Sequence, residues 1–170
     1  MARVKKENRQ DSFDLEHPKY ILDYSNTLSY DGRTLYKVLY YDGVEGGYLD
    51  SYRNLSQEGS CRVLDSAKVY GFAIVKEDAQ ITKKARVYGK AEVSGKAIVT
   101  NESQVYCLAK VAGNSLIKDT AKIADTAQVL GKAEIEGCAE INGISVVKGK
   151  SKISGNTVIL NEKVNNEIRN

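Results

Sequence analysis

The chain has 170 residues, a net charge of +3 and 42% hydrophobic residues. That length suits one domain with an appendage, no apolar run is long enough to span a bilayer, and so weak a positive charge does not call for nucleic acid. Three cysteines without a CxxC pair and a single histidine supply neither a metal-ligand set nor a disulfide framework, so free thiols in a reducing cytoplasm are expected, with no metal and no cofactor.

Residues 1–18 are polar, with Arg3, Lys5, Lys6 and Arg9 among several acids and no apolar core of a secretory signal. They read as a solvated arm. Residues 19–60 differ in composition, because eight of the eleven tyrosines lie there. The runs KYILDY and TLYKVLYY are rich in Tyr, Val, Ile and Leu, and Asp31-Gly32 and Asp42-Gly43 are hairpin-turn dipeptides. A small antiparallel β-module follows from these signals.

From Cys61 to Glu162 the chain repeats every six residues, in seventeen units without insertion or deletion. A small residue opens each unit, Val or Ile stands third, and Gly, Asp or Asn is usual at the fifth place, as in ARVYGK, AEVSGK and AKVAGN. Alternation of small, variable and aliphatic residues marks a very short strand with two inward side chains. The fifth residue tolerates the turn conformation. Strands this short cannot form a hairpin sheet, but three of them close a triangular coil of about 18 residues that stacks on the next by parallel pairing. The expected fold is all-β, with about 5–6 such coils over 61–162 behind the N-terminal module, and 163–170 as a tail.

The period-six pattern resembles the hexapeptide repeat of the left-handed parallel β-helix, a fold used by many bacterial acyltransferases. The resemblance implies left-handed coils and a side-by-side trimer. A narrower similarity rests on Gly46-Gly47-Tyr48-Leu49-Asp50 and Asn54-Leu55-Ser56-Gln57-Glu58-Gly59-Ser60-Cys61. These resemble the lead-in motif of bacterial and phage hexapeptide proteins with a small N-terminal β-module, a group often labelled as transferases. Arg62 departs from the aromatic usual in that motif. Acyl transfer needs a general base, normally His, and a cleft. Here the one histidine, His17, precedes the repeat, and no loop interrupts the units. The leading expectation is therefore a non-catalytic binding or scaffold protein. An acyltransferase-like enzyme with a site between subunits is the alternative.

Residues three repeat units apart stack in columns on the prism's exterior. Tyr70, Tyr88 and Tyr106 form one column at a corner, with Phe72 beside them. Lys68, Arg86, Lys84 and Lys90 gather nearby. Stacking rings with adjoining cations suit either a protein partner or an anionic aromatic ligand such as a nucleotide. In a phage setting, such a protein would sequester a host nucleotide signal or block a host protein. Outward apolar residues Ile98, Leu116, Ile74 and Val146 are the candidate contacts of a homo-oligomer.

Overall fold

A computed structural model describes residues 18–170. The arm expected over 1–18 therefore falls, but for Pro18, outside the described residues, as does His17. Two long strands, β1 (Tyr20–Tyr30) and β2 (Arg33–Tyr40), form an antiparallel hairpin, and β3 (Glu45–Leu49) pairs antiparallel with β2. The hairpin turn falls at Asp31-Gly32, where both residues take positive φ of 52° and 68°. This is the twist-matching geometry that an Asp-Gly pair favours.

Beyond the hairpin the chain is a parallel β-solenoid of about seven turns. Strands begin every six residues from Arg62 through Lys68 and Ile74 to Val158, and are two or three residues long. They align in three sheets, one per face of a triangular prism. Outward residues of the first face are Lys68, Arg86, Gln104, Lys122, Glu140 and Val158. The second face runs from Arg62 through Ile98 and Leu116 to Lys152, and the third from Ile74 through Lys110 to Val146. The register step is constant throughout this region, three repeat units each time, as in Lys68↔Arg86 and Gln104↔Lys122.

The inward Val and Ile columns form the core. Val69, Val87, Val105, Ile123 and Ile141 of the first face are each fully buried. Small residues stand beside them because little more than a methyl group fits. Where Ser replaces Ala, its hydroxyl finds a backbone partner: Ser103, Ser115, Ser145 and Ser151 each donate to the carbonyl three residues earlier, at 2.6–2.7 Å. That satisfies a buried polar atom without disturbing the packing. At the corners, non-glycine residues such as Asp65, Asn101 and Cys107 take φ of 57–60°.

The solenoid extends beyond both ends of the repeat. β3 pairs parallel with it, Tyr48↔Lys68 and Leu49↔Val69, with a register step slightly longer than the repeat's own. Leu55 likewise bridges Val75. Leu49, Leu55 and Val63 are thus the inward residues of a first coil that shares β3 with the antiparallel module. At the other end, Lys163–Asn165 and Ile168–Arg169 are strands that complete a seventh coil. The register step shortens there, first at Val146↔Lys163 and again at Lys152↔Ile168.

That last coil closes the core. Arg169 stands opposite Ile153, and so occupies the inward column of the second face. Its guanidinium donates to Glu162 at 2.7 Å and to Glu167 at 2.9 and 3.1 Å. Val164 in this coil and Ile153 in the coil before it are fully buried. An inward charge of this kind also blunts three open strand edges.

Candidate functional site

The tyrosine column is a continuous stack. The rings of Tyr70 and Tyr88 lie 5.1 Å apart and nearly parallel (2°), and those of Tyr88 and Tyr106 are 5.1 Å apart at 5°. The spacing follows the coil repeat, because each ring projects from the same corner of successive coils. Burial raises the phenol pKa of all three, and for Tyr70 the neighbouring Tyr30 adds to the effect. They are neutral rings at any physiological pH.

The hairpin covers the N-terminal end of this stack. Tyr24, Ser25 and Asn26 bulge out of β1 between the pairs Asp23↔Lys37 and Thr27↔Tyr36. The hairpin tip then reaches the corner. Tyr30 packs edge-on against Tyr70 at 5.8 Å, accepts a hydrogen bond from Arg86 Nη1 at 2.8 Å, and lies under Lys68 Nζ at 5.0 Å. Arg33 pairs with Asp50 at 3.0 Å, and the same carboxylate accepts from the Gly71 amide at 3.0 Å. Tyr70 is consequently only 5% exposed. A bound group could reach Tyr88 and Tyr106, which are half-buried, but not Tyr70.

The C-terminal end of the stack carries no further ring. The next residue in the column is Ala124, itself buried, whose methyl group cannot cover a ring. Tyr106 is therefore the last ring of the column, followed by a small apolar residue. Lys122, two residues before Ala124 on the same face, is paired with Glu140 at 2.8 Å. Phe72 and Leu108 project from the other side of the corner, 67% and 51% exposed. The sequence column pairs Leu108 with Phe72, and the structure makes it as prominent.

The basic patch expected around the ladder is largely engaged within the chain. Arg86 and Lys68 turn to Tyr30, Lys84 pairs with Glu102 at 3.2 Å, and Lys122 with Glu140. Lys90 is exposed at the corner, with no carboxylate of the described residues within ion-pair distance. Ile98 and Ile74 are 38% and 43% exposed, while Leu116 and Val146 are half-buried. These four do not form one patch: Ile98 and Leu116 are neighbours on the second face, and Ile74 and Val146 lie at opposite ends of the third.

A concavity among the described residues lies elsewhere, a groove of about 600 Å³ between β1 and the first coils, lined by Tyr20, Ile21, Tyr52, Leu55 and Ile74. The buried Tyr20 hydroxyl that lines it already donates to the Leu55 carbonyl at 2.6 Å. Among the described residues no group of three or more His, Cys, Asp or Glu is placed to hold a metal ion, and the three cysteines are unpaired. Among the described residues no helix is long and apolar enough to cross a membrane. No protein-family model matches the chain, and no curated protein matches it.

Proposed function

We propose that the protein is a non-catalytic binding or scaffold protein that holds a planar aromatic group at the C-terminal end of its tyrosine stack. The observation that carries this reading is the ladder Tyr70–Tyr88–Tyr106, closed by Tyr30 at one end and ending over Ala124 at the other. A ring laid on Tyr106 continues the stack, and stacking of this sort contributes about 1–3 kcal/mol per ring. The Lys122–Glu140 pair on the same face offers both a donor and an acceptor to the edge of the incoming ring. The ring has two possible sources, a nucleotide base or an aromatic side chain of a protein partner. With Arg86 and Lys68 committed to Tyr30, phosphate contributes less to recognition than the ring itself.

Calorimetric titration with a panel of purine and pyrimidine nucleotides, and in parallel with short Trp-, Tyr- and Phe-containing peptides, separates the two sources. Binding to either panel is expected to vanish in Ala124→Tyr, which fills that position with the chain's own ring and leaves the existing stack intact. Heat that is unchanged in Ala124→Tyr and in Tyr106→Ala, or no heat from either panel, overturns the reading and leaves the ladder as a stabilising stack alone.

A further inference from the structure

The third face of the prism carries a pattern that is symmetric about its middle. Number the coils one to seven by their first-face residues Leu49, Val69, Val87, Val105, Ile123, Ile141 and Ile159. At the corner leading into the third face, coils two, four and six then carry Phe72, Leu108 and Ile144, each more than half exposed. Coils three and five carry Lys90 and Thr126, also exposed. One step further along, Ile74 in coil two and Val146 in coil six flank Lys110 in coil four. The face is apolar at coils two and six, and its middle coil holds a single apolar knob.

We infer that this face binds a second copy of the chain about a two-fold axis running along the strand of coil four. Such an axis lays the two prisms antiparallel and sets coil two against coil six. Phe72 and Ile74 of one copy then meet Ile144 and Val146 of the other, twice, and Leu108 meets Leu108 on the axis. One corner charge suits this register. Lys90, exposed and without an acidic partner among the described residues of its own chain, is brought to Thr126 and the adjoining Asp125 of the second copy. The two Lys110 side chains approach at the axis as like charges, and their long side chains must splay towards solvent, because the nearest carboxylate of the other copy, Glu92, is held by its own chain's Lys76 at 2.8 Å. Seven coils at ~4.8 Å and a six-residue side give a footprint of about 500 Å² per copy, or about 1,000 Å² in all, the lower bound for a specific interface. An isologous contact closes on itself, so assembly stops at two. The tyrosine stack lies on the first-face side of the corner, so each copy keeps its own.

The test is the mass of the full chain by sedimentation equilibrium. Wild type is expected at twice 18.7 kDa, and Leu108→Glu, which places two carboxylates together on the axis, at 18.7 kDa with an unchanged circular-dichroism spectrum. If Leu108→Glu perturbs the coil, Ile144→Glu carries the same test, since that side chain is 71% exposed. Ile98→Glu on the second face should leave the dimer intact. A short bis-maleimide should link two copies through Cys107, which lies beside Leu108, and this link should be lost in Cys107→Ser but kept in Cys138→Ser. A monomer across the micromolar range, a trimer, or a dimer dissolved by Ile98→Glu but not by Leu108→Glu overturns the inference. None of these outcomes bears on ring binding at Tyr106, which calorimetry reads separately.

Discussion

Among single residues the corners decide most. Gly95 has φ +69°, and a Cβ there would sit 2.7 Å from the backbone of Gly113 in the next coil. Gly95→Ala is therefore expected to cost about 2 kcal/mol, from strain and from forced separation of two coils. Cys107 shows the converse. It occupies the same kind of corner with φ 59°, in the column of Gly71 and Gly89. An L-residue there is strained by roughly 1–2 kcal/mol, partly offset by the greater chain entropy of glycine when unfolded. Cys107→Gly should raise stability by about 0.5 kcal/mol in denaturant melts. The tyrosines divide by burial: Tyr70→Ala should destabilise by about 3 kcal/mol, and Tyr88→Ala by about 1 kcal/mol, mostly from the lost stack. Equal losses at the two positions would contradict the cover supplied by Tyr30.

Between strands, ion pairs run along the prism and tie coils together. Lys118 contacts Glu134 and Glu136 at 2.7 Å, and Lys152 contacts Glu136 at 2.9 Å, linking coils four, five and six. Hydrogen bonds from Lys118 and Lys152 hold the Glu136 carboxyl at about 2, well below its ordinary 4.5. A depressed folded pKa means that its stabilisation is complete above pH 4.5 and is lost as pH falls towards 2. The side chains are partly exposed, so the contribution stays below about 1 kcal/mol. Glu136→Gln should accordingly be less stable than wild type at about pH 6, and the two should converge near pH 2 in thermal melts.

The same scale shows what could be read from the chain alone. Every strand start from Arg62 to Val158 follows from the period of six, because inward Val or Ile recurs without a break. The coil before Cys61 and the coil after Glu162 are hidden. The register step is longer than the repeat's in the first and shorter in the last, and their inward residues include Leu49, Leu55 and Arg169 rather than the repeat's Val and Ile. The stacking of Tyr70, Tyr88 and Tyr106 is legible as a step of three repeat units. The contact of Tyr30 with Arg86 is not, since 56 residues separate them and Tyr30 lies outside any repeat.

For the whole molecule, the two ends behave differently. The N-terminal coil is covered on its first face by the antiparallel hairpin, which adds two strands to that sheet. The C-terminal coil relies on Arg169. Arg169→Leu would put an apolar side chain at the end of the inward column, beside strand edges that no described residue pairs, and should produce end-to-end species larger than a dimer in concentration-dependent light scattering. If this variant keeps the wild-type mass, the guanidinium is not what stops growth.

The constant step from coil to coil has a further consequence for how such a chain can change over time. Duplicating one whole coil in the gene, for instance 85–102, would insert without shifting any inward or outward position. The prism would lengthen by roughly 4.8 Å, and the ladder would acquire a fourth in-register ring. Yet eight coils have no middle coil, so Leu108 would lose its place on the symmetry axis. The molecule's length is easy to alter as architecture and hard to alter as a self-matching surface.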